Sequence, residues 1–428
     1  MKKVAVNIAR LALAVSLIFS GFVKGVDPLG TQYKITDYLQ ALHLGDYVSD
    51  TMALGMSVLL SAVEFGLGIC LLFAIRRRLV SRLVVLMMAV MTPLTLWLAV
   101  ANPISDCGCF GDAIVLTNWQ TFWKNILLLG MAITVAVWPL EMMRFVSRSN
   151  QWIVVNYSAV FILAVSGWSL YDLPYFDFRP YHVGTDLRKG WQRMMDGEES
   201  PYSDFFAERV TLKGNGDKLE LVDSEDITEP MLSYSGYTFL LVSPHLEQAD
   251  DSQLDLINQL YEYADDEGYP FYCLTASGEK GISRWIGATG AEYPFCQTDD
   301  IVLKTMIRSN PGLLLLKDGK IIRKWSHNRL PGEQELTKPL ALLEIGKMPA
   351  DSVPRKVLLI LLWYVLPLMV LTIADRLWAW TRWMKKKKES NKVYQLLKKG
   401  KNEKENRSRQ LEDEPEPAGG PESGQGTE

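Results

Sequence analysis

Long apolar runs alternate with polar stretches along this chain, and each run has the length that crosses a bilayer. Six lie near the ~20 residues that a helical span needs, at 4–23, 52–75, 79–100, 119–142, 152–171 and 357–374. The polar segment 172–352, between the fifth and sixth runs, has another rhythm. Positions 189–196 have helical character, and 210–222 alternate apolar and polar around Gly214-Asn215-Gly216-Asp217, which predicts a hairpin. Tyr237 to Ser243 reads as a buried strand, and 253–265 as an amphipathic helix with Leu254, Ile257, Leu260 and Tyr261 on its apolar face. A strand at 270–276, a helix at 282–287, a short strand at 292–297 and a helix at 301–308 follow. Two strands, 312–317 and 320–326, meet at the turn Asp318-Gly319. This alternation predicts an α/β sheet domain.

Charge orients the spans. Lys2, Lys3 and Arg10 accompany the first; Arg76, Arg77, Arg78 and Arg82 lie in the second connection, Arg144 and Arg148 in the fourth, and Arg382 and Lys385 to Lys388 follow the last. On a six-span path all of these fall on one side, which the positive-inside rule makes the cytoplasm. The expected localisation is thus a bacterial inner membrane, with both termini cytoplasmic and 172–352 in the periplasm, where disulfides persist. Lys2 and Lys3 before an apolar run resemble a signal peptide, but Arg10 interrupts the run and Ser20-Gly21-Phe22-Val23 offers no clear cleavage site, so the first run is expected to remain as a span.

The 428 residues then divide into a four-helix membrane domain at 1–148, a fifth span at 149–175, a linker and hairpin region at 176–235, an α/β domain at 236–350, a sixth span at 354–384 and a tail at 385–428. Lys385 to Lys388 form a stop-transfer signal and a contact for anionic lipid. The rest of the tail has little to bury and is expected to be disordered. Mean hydropathy, +0.03, averages the two kinds of stretch and describes neither. The net charge of −4, without a basic patch interleaved with aromatics, speaks against nucleic acid as a partner, and the four scattered histidines predict no metal site.

Chemistry concentrates in the loop between the third and fourth runs, Asn102-Pro103-Ile104-Ser105-Asp106-Cys107-Gly108-Cys109-Phe110-Gly111-Asp112. Closing a disulfide between Cys107 and Cys109 requires the chain to fold back, and Gly108 permits the backbone geometry for it. So small a ring favours a labile, catalytic pair over a staple; a fixed structural disulfide and two unpaired thiols are the other readings. Asp106 and Asp112 flank the pair, and carboxylates disfavour a thiolate, so the thiol pKa is expected not to be depressed unless backbone NH groups compensate. Glu64 lies near the middle of the second span. An ionisable group there is costly unless paired or wetted, which makes it either a functional residue, with Arg10 or Lys24 as partner, or a neutral packing residue. Cys70 reads as a small apolar residue. Trp97, Trp119 and Trp123 form an interfacial belt or, as the alternative, a ring-stacking site for a quinone.

Arg10, the run Gly21-Phe22-Val23-Lys24-Gly25-Val26-Asp27-Pro28 and Glu64-Phe65-Gly66-Leu67-Gly68 together resemble the DoxX family of small four-helix membrane proteins. The Cys-Gly-Cys-Phe-Gly-Asp loop resembles the related MauE-type branch, described as redox-associated. The resemblance covers about residues 4–145 and implies respiratory quinone chemistry or disulfide formation. Farther on, Ser309-Asn310-Pro311-Gly312 and Lys317-Asp318-Gly319-Lys320 resemble the thioredoxin-like fold, in which a cis proline opens the penultimate strand; Pro311 would be that residue. Thioredoxins carry Cys-x-x-Cys after the first core strand, at a helix N-terminus, and here that place reads Ser243-Pro244-His245-Leu246, without cysteine. His245 is either a surface residue or a polar stand-in at that place. Cys273 and Cys296 read as buried small hydrophobes or as a disulfide.

The fold class expected is a polytopic α-helical membrane protein with an extracytoplasmic, thioredoxin-like α/β domain lacking its dithiol. The function expected is thiol/disulfide or quinone-linked electron handling through Cys107 and Cys109, with Glu64 as an intramembrane contributor. Its partners would be the lipid bilayer and a periplasmic thiol protein, and quinone is the cofactor the resemblance implies. The alternative is a non-catalytic membrane scaffold whose thioredoxin-like domain binds a periplasmic partner.

Overall fold

A computed structural model describes residues 2–104, 107–198, 205–215, 218–349 and 353–412. Six helices among them are long and apolar enough to cross a membrane. Five belong to the first half: α1 (Lys2–Val26), α3 (Asp50–Leu72), α4 (Arg77–Ala101), α5 (Asn118–Val137) and α6 (Gln151–Tyr171). Between α1 and α3 lies α2 (Pro28–Ala41), in the polar stretch between the first two apolar runs. The signal was present: Asp27 caps the helix by accepting from the Gly30 NH at 3.0 Å, and Pro28 occupies the first turn, the favoured arrangement for a helix start.

Helices α1 and α3 pack through small residues, as membrane helices do. A Cβ on Gly68 would lie 2.7 Å from the Ile18 nitrogen, so only glycine admits this approach. Ser61 Oγ donates to the Gly21 carbonyl at 2.9 Å, and Ser57 Oγ to that of Pro28 at 2.7 Å. The last span starts as α12 (Val353–Ile360), passes through a π-helical turn at Leu361–Val365 and continues as α13 (Leu366–Glu412). It leans on α6, with Tyr364 bonded to Ser158 at 2.8 Å and stacked on Phe161 at 4.0 Å. At one end of the bundle, Arg10 and Arg77 donate to the carbonyls of Met143 and Met142, and Asp375 accepts from Ser147 and Asn150.

Beyond the sixth span, α13 stays helical to Glu412, which differs from the disorder expected from Glu389 onward. Lys, Leu, Gln and Glu are strong helix formers, so the segment is helical although it has little to bury. Its side chains are exposed as far as they are described. The remainder of that expectation falls on 413–428, outside the described residues.

The sheet domain follows α6. Its elements are α7 (Leu187–Met195), β1 (Glu208–Asn215), β2 (Lys218–Asp226), α8 (Thr228–Ser233), β3 (Tyr237–Ser243), α9 (Leu254–Asp266), β4 (Phe271–Thr275), α10 (Glu279–Thr289), β5 (Phe295–Gln297), α11 (Asp300–Met306), β6 (Gly312–Lys317) and β7 (Lys320–Ser326). The strands form one mixed sheet in the order β2-β1-β5-β4-β3-β6-β7, with β3, β4 and β5 parallel. Phe239, Leu241, Leu313 and Leu315 face Ile257, Leu260, Ile282 and Trp285 on one side. Leu240, Val242, Leu314 and Leu316 face Leu187, Leu232, Leu303 and Met306 on the other. The Asn310–Pro311 peptide, directly before β6, is cis.

The sheet therefore begins before residue 236, which corrects the separation of 176–235 as linker and hairpin. Strand β1 pairs with β5 through Glu208↔Gln297 to Val210↔Phe295, and Leu187 is buried in the core. An uncovered β5 edge would leave its backbone groups unpaired, and the hairpin satisfies them. Of the predicted turn, Gly216 and Asp217 lie outside the described residues.

Candidate functional site: a dithiol loop between helical bundle and sheet

The Cys107/Cys109 loop leaves α4 at Asn102, whose φ is +45°, and returns at the N-terminus of α5. Asn118 holds its entry, donating to Asn102 Oδ1 at 2.9 Å and to the Ile104 carbonyl at 2.8 Å. Tyr38 OH, from α2, donates to the Cys107 carbonyl at 2.7 Å. Gly108 has φ +63°, and the Gly111 NH closes a turn onto its carbonyl at 3.0 Å. Phe110 packs on Phe19, with Lys124 Nζ 4.1 Å from its ring centre. The two sulfurs face one another, 2.7 Å apart.

Directly against the loop lies Glu64. Lys24 Nζ donates to its two oxygens at 2.8 and 2.7 Å, and both side chains are buried. Of the two partners the sequence offers, Lys24 is the one: Arg10 turns to the opposite end, to the Met143 carbonyl and the face of Phe145. Lys24 lies one turn beyond Ser20 on α1, and its Nζ is 3.0 Å from Ser20 Oγ. That hydroxyl is 2.7 Å both from Glu64 Oε2 and from the Cys109 carbonyl. A hydroxyl carries one proton, so it donates to one of these acceptors at a time. The buried ion pair is thus linked to the Cys109 backbone through one rotatable proton, a link the sequence did not reveal.

Electrostatics divide the cysteines. The Cys109 pKa is lowered to about 6, first by the hydrogen bond from Cys107 and then by Lys124 and Lys24, against its burial. The Cys107 pKa is pushed up, because its proton is held against Cys109 and because it is buried. This overturns the expectation of an undepressed thiol. Asp112 lies 3.5 Å from Arg308, and the hydrogen bond from Cys107 outweighs the lysines of α1 and α5. Asp106 lies outside the described residues.

Arg308 comes from the sheet domain, between α11 and β6. Buried at the junction, it donates to Asp27 from Nε at 3.0 Å and from Nη2 at 2.7 Å, and lies over the Tyr33 ring. Asp27 holds its carboxyl below the usual range although burial opposes this, because Arg308 is its partner. A second anchor joins the end of β7 to that of α6: Asp172 accepts from Ser326 Oγ at 2.9 Å and from Arg329 at 3.0 Å. These contacts set the sheet domain over the dithiol loop, with a cavity of about 550 Å³ between them.

Elsewhere the proposed site residues separate. His245 lies 3.2 Å from Asp300, and its carbonyl accepts from Asn310, beside Pro311. Cys273 and Cys296 sit on adjacent parallel strands, but Cys273 is level with Phe295 and Cys296 with Leu274. Their side chains enter opposite faces of the sheet, which excludes a disulfide between them. Trp119 and Trp123 are exposed on α5, as belt residues are.

No curated protein and no solved structure matches the chain. Residues 2–138, which comprise α1 to α5 with the dithiol loop, match the family described as Methylamine utilisation protein MauE.

Proposed function

We propose that the protein exchanges a dithiol for a disulfide at the membrane surface, with Cys109 as attacking thiolate and Cys107 as the thiol that resolves the mixed disulfide. The observation that carries this reading is the geometry of the loop: the turn at Gly108 brings the two sulfurs within 2.7 Å of one another, and Cys107, Lys124 and Lys24 lower the pKa of Cys109. A thiolate attacks and a thiol does not, so the asymmetry assigns an order to the two residues. The MauE match supports a redox-related membrane role. By the distribution of Lys and Arg the loop faces the periplasm, where oxidised and reduced thiol proteins are the natural partners. A quinone would be the acceptor on the lipid side, beside Trp119 and Trp123.

The sheet domain is read as thioredoxin-like, on the order β5-β4-β3-β6-β7 and on Pro311 before β6. Position 243 and its neighbours lack the dithiol, so its role is to cover the loop and present partners to it. A scaffold is the second reading, favoured by the buried Arg308–Asp27 clasp. Trapping separates the two. With Cys107→Ser, electron exchange leaves a mixed disulfide on Cys109 that reducing agent releases; a scaffold forms no adduct in either single-Ser variant.

A further inference from the structure

The cavity of about 550 Å³ has Gly108 and Gly111, on either side of Cys109, in its wall, with Asp27, Tyr33, Arg179 and Arg308 also lining it. Roughly 300–1,000 Å³ is the size of small-ligand sites. Arg179 is its unusual member. It is 3% exposed, and its Nε donates to Asp177 Oδ1 at 2.7 Å. Among the described residues, its two terminal nitrogens have no hydrogen-bond partner. Asp177 has little more to offer, since its other oxygen accepts from Lys324 Nζ at 2.8 Å. Asp27, another carboxylate of the cavity wall, is engaged by Arg308, and Asp112 lies 3.5 Å from the same guanidinium. One carboxylate thus serves two buried cations, and Lys324 shows the surplus: burial lowers its pKa to about 8, Arg179 adding to the effect while Asp177 opposes it. A buried guanidinium edge without acceptors is costly, and its planar fork matches a carboxylate.

We propose that this cavity binds a small carboxylate-bearing thiol or disulfide, whose carboxylate pairs with Arg179 while its sulfur reaches Cys109 past Gly108 and Gly111, which line the cavity whereas the two cysteines do not. The guanidinium turns toward the cavity to make the pair. The inference rests on the dithiol reading above and names its substrate class. In the oxidising direction, the Cys109 thiolate attacks one sulfur of the external disulfide and expels one carboxylate-bearing thiolate. Cys107 gives its proton to that leaving thiolate, attacks the Cys109 sulfur and expels the second. Two electrons pass from the cysteine pair to the external disulfide, and the pair closes.

The test uses the full chain in detergent or nanodiscs. Dithiodipropionate carries the carboxylates, bis(hydroxyethyl) disulfide lacks them, and thiodipropionate is a thioether that carries them but cannot exchange. Wild-type Cys107/Cys109, read by mass-tag alkylation, should oxidise about tenfold or more faster with the carboxylate disulfide than with the neutral one, and excess thiodipropionate should remove the advantage. Arg179→Met should bring the ratio of the two rates to about one, and Arg179→Lys, which keeps charge without the fork, to an intermediate value. Equal wild-type rates with no effect of thiodipropionate would overturn the proposal, and this comparison needs no variant to fold. If neither disulfide oxidises the pair, the dithiol reading fails instead. The carboxylate site then stands on whether thiodipropionate raises the wild-type unfolding temperature, and no shift overturns it.

Discussion

Two pairs of cysteines lie close together in this protein, and their surroundings give them opposite chemistry. Cys107 and Cys109 share a tight loop whose neighbours include Lys124 and Lys24, and Cys109 is held near pKa 6. Cys273 and Cys296 lie on adjacent strands, each fully buried. Burial raises the Cys273 pKa well above its usual value and pushes that of Cys296 up to about 12, although Arg209 opposes the latter. Proximity alone therefore does not make a dithiol. In the loop a turn points both sulfurs at one space, whereas the alternation of a strand points them apart. The hydrogen bond between them, helped by cations within reach, then decides which thiol ionises.

The sharpest way to break this contrast is alkylation of the native protein. At pH 7 thiolate should be abundant at Cys109, whose pKa is lowered, and scarce at Cys296, whose pKa burial raises. Mass spectrometry should find label on Cys109 and none on Cys273 or Cys296 until the sheet unfolds. Because the Cys109 pKa is lowered, its thiolate is present above about 6 and lost as pH falls through that value. Its labelling rate should follow that curve, and a midpoint near 8 to 9, the ordinary thiol range, would remove the asymmetry.

Next in size is Lys24→Met, which strands Glu64 without its partner. Breaking a buried pair costs about 3–5 kcal/mol, to be read from denaturation in detergent, whereas Lys24→Met with Glu64→Leu should recover most of it. Additive losses would show that the pair carries no coupling. Cys107→Ala then removes the first cause of the Cys109 shift. A return of Cys109 to the ordinary pKa of ~8.5 would lower its thiolate at pH 7 about thirtyfold, and an unchanged labelling rate would assign the shift to the lysines alone. Smallest is Gly108→Val. A side chain at φ +63° costs about 1–2 kcal/mol, so this variant should lose a few degrees of unfolding temperature and exchange more slowly. Full stability with full exchange would show that the turn tolerates a side chain.

Periodicity made the six spans legible, because length and apolarity are local properties. The same holds for the strands of the sheet and for Gly108, which the Cys-x-Cys spacing singled out as the pivot. Helix α2 is legible only in its start signal, Asp27-Pro28, because its polar surface carries no apolar stripe. Glu64 could be flagged as costly, yet nothing local chose between Arg10 and Lys24. That choice came from packing: Lys24 and Ser20 lie one turn apart on the face of α1 against Glu64, whereas Arg10 lies at the other end of the helix.

The chain by itself determined which segments enter the membrane, which form the sheet and where two thiols meet. Each of these depends on neighbours a few residues away, through helix and strand periods or the length of a loop. Tertiary structure alone decided the partner of Glu64, the joining of the hairpin to β5, the contact of Arg308 with Asp27 and the approach of Lys24 and Lys124 to Cys109. These rest on charges and edges distant in sequence, and electrostatic energy depends on separation in space.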